Sequence, residues 1–333
     1  MSDISSRGLL DTLRARAALL AELRAFFHAR GFLEVETPLL SPDVVIDVHL
    51  EPFSTMWRAD PRAARGEELF LQTSPEFSHK RLLAAGCGPI FEVFRAFRNG
   101  ESGQRHNPEF TLVEWYRPGD DHHAQMTFTE ALVRHLYRAT PRQLAAAPFE
   151  RLAYDDAFAR YVGTPVLALD VPALAELARE YKISIPSGLG TKPGDRDDWL
   201  NLLLAELVEP HLGVERPTFL YDYPASQAAL AIIREDDPPV AERFELYIQG
   251  VELCNGYHEL RDAEELRRRN REQNRKRISL GLRELPVESR LLQAMESGLP
   301  GCAGVALGFD RLLMMLLGKA SIGAVRAFLT EHR

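Results

Sequence analysis

Apolar residues at Leu9, Leu13, Leu20, Leu23 and Phe27 recur at intervals of three, four and seven, and the run stops at Gly31. That spacing marks one face of a helix ending in a glycine C-cap. GFLEVETPLL then alternates with period two, as a half-buried strand does, until Pro38. A proline cannot donate to a ladder, so this strand belongs at an edge or an interface. Between Val48 and Gly66 no period is clear, after which LFLQ reads as a buried strand and TSPEFSHKRLLAAG as a helix with Ser74 as N-cap and Pro75 at its first position. PIFEVFRAFR and EFTLVEWYR, rich in aromatic and β-branched residues, predict an antiparallel hairpin across the long loop NGESGQRHNP.

Residues from about 125 to 212 read as helices and connections, including VPALAELAREYK and DWLNLLLAELVEPHL. Strands follow at TFLYDYP, ALAIIRE and RFELYIQGVELCNG, then the charged helix AEELRRRNREQNRKR, and finally GVALGFDRLLMMLLG, a small-residue strand turning into an apolar helix. Strands in runs with segregated helices imply an α+β fold: one domain over 8–333, a mostly antiparallel sheet flanked by helices, with a mainly helical insertion at about 125–212.

Composition narrows the function. The 333 residues are 45% hydrophobic and 26% charged, with 40 Lys+Arg against 48 Asp+Glu and a formal charge of −8. This balance argues against a protein that holds nucleic acid chiefly by its phosphates. Arg261 to Arg277 runs against the trend, with eight basic and four acidic residues, a local +4 whose ordinary meaning is a solvated face. Cys87, Cys254 and Cys302 form no CxxC and are odd in number, which excludes a disulfide framework or zinc ribbon and suggests a reducing, cytoplasmic setting. The first residues are interrupted by Asp11, Arg14 and Arg16, unlike a signal peptide, and no run approaches the ~20 apolar residues of a membrane span. Walker A, GxSxG and HExxH patterns are all absent.

The hairpin carries the first candidate chemistry. Arg98 ends one strand, His106, Asn107 and Glu109 begin the return, and Phe110 and Glu114 lie further along it. A guanidinium there can grip a phosphate or carboxylate bidentately, and Phe110 offers a flat face to a nucleobase. Alone, the same residues would serve an ordinary ion pair and a core. Glu245 and Glu252 lie seven apart on neighbouring strand segments, with Glu259 seven further on. Two carboxylates beside a triphosphate suit Mg²⁺, which prefers a few protein oxygens plus phosphates and water. Arg311 opens a helix behind a glycine-rich strand.

In combination these pieces resemble the catalytic domain of the class II aminoacyl-tRNA synthetases, most closely that of lysyl-tRNA synthetase, over nearly the whole chain. The first helix plus GFLEVETPLL is similar to motif 1, the dimer element; FRNGESGQRHNPEF to motif 2; GVALGFDRLLMMLLG to motif 3. TSPE, HNPEFTLVEWY and NGYHEL are similar to the lysine-specific pieces. Lysyl-tRNA synthetases carry an anticodon-binding β-barrel ahead of motif 1, whereas motif 1 here begins near residue 8. A domain without that barrel resembles the synthetase paralogues that activate (R)-β-lysine with ATP and attach it to a lysine of elongation factor P.

The resemblance implies an ATP-dependent amino-acid ligase that releases AMP and pyrophosphate, is homodimeric, and has no anticodon recognition of tRNA. It places ATP on Arg98, Asn99, Gly100, His106, Asn107, Phe110, Glu252, Leu253, Gly308 and Arg311, with Arg98 and Arg311 catalytic and Mg²⁺ on Glu245 and Glu252. It places (R)-β-lysine or lysine on Ser74, Pro75, Glu76, Glu114, Tyr116, Asn255, Glu259 and Ala306. Two departures stand out. Gly100 precedes Glu101 where the family has Glu directly after Arg-Asn, so either Glu101 or a backbone carbonyl would contact the adenine amino group. Ala306 replaces the middle glycine of Gly-x-Gly-x-Gly, which implies a substrate related to L-α-lysine but different from it. The alternative is a free-standing synthetase paralogue acylating tRNA or another small acceptor. A catalytically silent paralogue would have lost motif arginines or the acidic pair, and Arg98, Arg311, Glu245 and Glu252 are all present.

Overall fold

The computed structural model describes residues 6–330; residues 331–333 of the expected domain lie outside them. In chain order, α1 (Ser6–His28) leads to β1 (Leu33–Glu34), β2 (Leu40–Ser41), β3 (Ser54–Trp57), β4 (Glu67–Leu71), α2 (Glu76–Ala84), β5 (Ile90–Phe97), β6 (Glu109–Pro118) and α3 (His122–Arg138). Next come β7 (Glu150–Ala153), α4 (Tyr154–Tyr161), α5 (Val171–Glu180), α6 (Arg196–Leu203), β8 (Thr218–Pro224), β9 (Ile233–Arg234), β10 (Val240–Ile248) and β11 (Val251–His258). The last elements are α7 (Ala263–Ser279), α8 (Arg290–Gly298), β12 (Cys302–Gly308) and α9 (Phe309–Leu317). They form two compact units, Met1–Gln143 with Glu259–Arg333, and Leu144–His258.

In the first unit the strands run in the order β1, β5, β6, β12, and only the short β1 pairs in parallel. Register decides what each face carries. Glu92 lies opposite Glu114 and Glu114 opposite Ala306, while Tyr116 lies opposite Gly304 and Leu112 opposite Gly308. Because side chains alternate, these residues share one face and Phe91, Val113, Trp115 and Val305 the other. The second face is covered by α1. The Phe27 ring stacks on Phe91 with centroids 4.4 Å apart and lies 5.4 Å from Trp115, and Phe128 of α3 joins the cluster. A smaller antiparallel sheet, β2-β4-β3, belongs to the same unit.

The second unit has strands in the order β11, β10, β8, β7, with β9 beside β10, and only β7–β8 parallel. Its core gathers Tyr154, Phe158, Leu174, Trp199, Leu200 and Leu203. Sheets that are mostly antiparallel and flanked by helices match the expected class.

Several elements differ from the sequence reading, each for a local reason. GFLEVETPLL forms ladder only at 33–34 and 40–41, because the Thr37 N–H donates to the Glu92 carboxylate at 2.9 Å instead of to a strand. Helix α2 starts one residue later than predicted, with Pro75 at the cap position; the Ser74 hydroxyl accepts from the Glu76 N–H at 3.4 Å. Of ALAIIRE, only Ile233–Arg234 forms a strand. Strand β3 comes from the stretch without a period: all four of its residues are exposed, so burial left no pattern to read.

Among the described residues no helix is long and apolar enough to cross a membrane. Phe27 is fully buried, so Phe27→Ala should cost about 3–5 kcal/mol, the range for deleting a core aromatic. A lowered urea midpoint measures it.

Candidate active site

The charged face of the first unit's sheet holds a buried acidic pocket. Helix α2 contributes Glu76 and, one turn on, Lys80; β6 contributes Glu114 and Tyr116; Glu259 is anchored where its N–H donates to the Cys302 carbonyl at 3.0 Å. All five side chains are buried. The Lys80 ammonium lies 2.6 Å from Glu76 Oε1 and 2.5 Å from Glu259 Oε2, and the Tyr116 hydroxyl donates to Glu114 Oε1 at 2.9 Å. Glu114 Oε2 and Glu259 Oε1 have no hydrogen-bond partner. Such orphaned oxygens carry a large desolvation cost unless a cation meets them.

Electrostatics follow from that burial. Desolvation pushes the Glu259 carboxyl up to about 8, opposed by the neighbouring Lys80 charge. Glu114 is raised well above the usual carboxylate range by burial and then by Glu76, against the pull of the Tyr116 hydrogen bond. Lys80 stays protonated: Glu259 and Glu76 raise its affinity for the proton by more than burial lowers it. Glu92, across the ladder from Glu114, is satisfied by His79 at 2.8 Å and by Thr37. Gly304 floors the pocket. A Cβ there would collide with the Tyr116 ring and come within 2.8 Å of Glu259 Oε1. Ala306, the departure from the motif, lies beside Glu114 in the ladder.

Further along the same face is a cationic and aromatic cluster. The Arg98 guanidinium sits over the Phe110 ring with its carbon 5.0 Å from the centroid, donates to the Thr73 carbonyl at 3.4 Å, and lies 3.4 Å from Glu101. The TSPE segment with Ser74 and Pro75 is thereby held next to Arg98. Glu101 turns its carboxylate toward Arg98, following Gly100 at φ +84°. The Asn99 N–H donates to the Glu51 carbonyl at 2.7 Å. Arg311, in the first turn of α9 just after Gly308, donates to His106 Nε2 at 2.5 Å, which assigns the imidazole proton to Nδ1. Burial and the Arg311 charge lower the His106 pKa and keep it neutral. Asn107 is buried, and its amide is engaged by the Glu109 carbonyl at 2.6 Å and by the Thr330 N–H at 3.1 Å.

The remaining predicted residues belong to the second unit. Glu245 on β10 faces Asn255 on β11, and Tyr247 faces Glu252. The register shifts between Leu246 and Tyr247, and this bulge lets Asn255 and Glu252, three residues apart, share the face of Glu245. Leu253 is the buried residue at the irregularity. The Tyr223 and Tyr247 hydroxyls donate to Glu245 Oε2 at 2.6 and 2.7 Å, and the partly buried Arg243 pairs with Oε1 at 2.5 Å. Two carboxylates on one face are hard oxygen donors of the kind Mg²⁺ accepts, and Arg243 balances the charge of Glu245. The Asn255 Oδ1 is buried without a partner.

Lys80, His79, Glu92 and Gly304 were not singled out from sequence. Glu76 and Lys80 are four apart, a spacing that usually signals a surface helix pair, and only burial reveals its role. The basic run also changes meaning. Arg267 pairs with Glu288 and Glu296 at 2.8 and 2.9 Å, and Arg268 and Arg269 each pair with Glu265 at 2.7 Å. Arg277 is fully buried, donating to the Asp47 and Leu50 carbonyls at 2.9 and 3.1 Å and pairing with Glu51. Glu51 in turn meets Asn99, so α7 braces the motif 2 loop.

The family model of the tRNA synthetases class II (D, K and N) matches residues 1–332. Proteins of Klebsiella pneumoniae (strain 342) and Salmonella paratyphi B (strain ATCC BAA-1250 / SPB7), each named elongation factor P–(R)-beta-lysine ligase, are 47% identical to this chain over 323 residues, covering 97% of it and 96% of the relative.

A ligand ammonium seated on Glu259 requires the ionised carboxylate, so binding releases the proton held at pH 7. The apparent Kd of such a ligand should fall roughly tenfold between pH 7 and pH 9, provided the ammonium keeps its own proton, pKa about 10.4. Calorimetric titration across that range checks the sign; a Kd that rises with pH contradicts it.

Proposed function

The chain belongs to the class II tRNA synthetases (D, K and N), and from that premise we propose that it activates (R)-β-lysine with ATP and transfers the β-lysyl group to a lysine ε-amino group of elongation factor P. The observation that carries this reading is the buried pocket in which Glu114 and Glu259 present unpartnered oxygens, a receptor for the ammonium of a lysine-type substrate. The names of the relatives supply the acceptor, so the alternative of tRNA acylation is not favoured.

In the first step the substrate carboxylate attacks the α-phosphorus of ATP and pyrophosphate departs. Arg98 binds the α-phosphate and the substrate carboxylate and offsets charge growing at phosphorus, and Arg311 covers the adenine and reaches the γ-phosphate. Phe110 and neutral His106 seat the base between them, with Asn99, Gly100 and Leu253 contributing backbone; Asn107 shapes the loop; Gly308 lets the nucleotide approach. Glu245 and Glu252 would hold Mg²⁺, which supplies countercharge to the phosphates. Glu76 takes the substrate's backbone amine, Asn255 its carboxylate, and Glu114, Tyr116 and Glu259 the side-chain ammonium, with Ser74, Pro75 and Ala306 lining the site. In the second step the acceptor amine attacks the activated carbonyl and AMP leaves. No covalent enzyme intermediate is needed.

We also propose a homodimer in the cytoplasm. Leu10, Leu33, Leu39 and Leu40, all in the motif 1 region, are exposed apolar side chains suited to a subunit contact, and the three cysteines are free thiols.

Incubating the protein with labelled lysine isomers, ATP and Mg²⁺, with elongation factor P and bulk tRNA side by side, should label elongation factor P, most strongly with (R)-β-lysine. Label on tRNA alone would sink the assignment. Ala306→Gly removes the methyl beside Glu114 and should raise kcat/KM for L-α-lysine in pyrophosphate exchange; unchanged values for both isomers count against Ala306 as a selector.

A further inference from the structure

Lys80 is a buried cation that the proposed reaction leaves without a role. It is 1% exposed, and a buried ion pair seldom stabilises a fold more than apolar side chains of the same size would. Helix architecture alone does not call for it. A helical i,i+4 pair would need only Glu76, yet the ammonium is shared with Glu259 from a different segment, whose other oxygen is left unpartnered.

Counting charge gives the reason. The ionisable groups around Lys80 are Glu76 and His79 on its own helix, Glu259, Glu114 and Tyr116 from β6, Glu92 from β5 and Cys302 from β12, with Arg261 beyond Cys302 exposed to solvent and so outside the buried count. Glu92 is paired off with His79 and Thr37, while Tyr116 and Cys302 are driven further toward their neutral forms by burial and by the nearby carboxylates. That leaves Glu76, Glu114 and Glu259 against one resident cation.

We infer that Lys80 is a resident counter-ion that sets the ionised pocket two charges below neutrality, the complement of a substrate bearing two ammonium groups, and thereby selects diamino acids. The inference rests on the function proposed above and adds a specificity-determining residue to it. With Lys80 present, the two ammonium groups of a lysine-type substrate neutralise the pocket while Arg98 answers its carboxylate, and a monoamino acid strands one buried carboxylate. Without Lys80, even the correct substrate leaves one carboxylate that must keep its proton. Lys80 acts through Glu76 and Glu259, as a positioning and charge-setting residue.

The test reads the pH dependence of KM for (R)-β-lysine in ATP–pyrophosphate exchange. Removing the cation in Lys80→Met should raise the pH at which KM levels off by about one unit or more, and raise KM at pH 7 about tenfold, with kcat within about threefold. Lys80→Arg, which keeps the charge, should hold the wild-type midpoint. Melting temperature and the Kd for ATP establish that each variant is folded. An unmoved midpoint in Lys80→Met, an equal shift in Lys80→Arg, or a loss in kcat with KM unchanged would overturn the inference. If Lys80→Met does not fold, Lys80→Arg decides: a held midpoint supports the charge role and a displaced one refutes it. Wild-type protein inactive with every lysine isomer would instead strike the proposed function. In that event, infrared titration of the Glu259 carboxyl, expected to rise in Lys80→Met, still tests the counter-ion.

Discussion

Three carboxylates share one buried pocket with a single ammonium, and burial holds Glu259 and Glu114 toward their protonated forms. Lys80, bound to Glu76 and Glu259, is the resident positive charge of this arrangement, and the surrounding structure keeps it in place. Glu76 and Lys80 are fixed to each other by one helical turn. Glu259 is fixed by its backbone bond to Cys302, and the whole cluster rests on a glycine backbone at 304 where any side chain would intrude. The pocket is therefore shaped by desolvation more than by flexible reach, and its orphaned oxygens are polar groups whose burial is left uncompensated.

The same logic applies to the cationic and aromatic cluster. Arg98 is stacked on Phe110 and leans on the Thr73 carbonyl, so its planar fork is oriented before any phosphate arrives. Arg311 and His106 hold each other, with the imidazole neutral. Behind them, Arg277 ties α7 to the 47–51 segment, and Glu51 ties that segment to Asn99. A helix that looks in sequence like a basic patch is, in the fold, a buttress.

Legibility in the sequence followed the physics of each element. The β5–β6 hairpin and the β12–α9 junction were readable because their hydrophobic runs are bounded by loop residues and have few alternative meanings, whereas RFELYIQGVELCNG, read as one strand, folds back on itself as β10 and β11. Strand β3 was silent because its residues are all exposed. The role of Lys80 was hidden because local spacing cannot distinguish a buried i,i+4 pair from a solvated one. Shared orientation of Glu252 and Asn255 depended on a bulge at Leu246/Tyr247, a one-residue irregularity with no compositional mark. Most of α7's arginines find acids within the helix or in residues 51, 288 and 296, partners that only tertiary structure supplies.

Strand β6 interleaves two vocabularies. Phe110, Leu112, Glu114 and Tyr116 share the face of the acidic pocket and the Arg98 cluster, and Val113 and Trp115 face the aromatic layer beneath α1. Odd positions answer to packing density and even positions to ligand identity, so selectivity can drift while the scaffold stays put. The strand is intolerant of insertions and deletions for the same reason. Losing a single residue from it would exchange the two sets, sending a carboxylate into the aromatic layer and an indole into the binding face. Diversification of such a protein is thus confined to substitution along the strand and to changes of length in its loop.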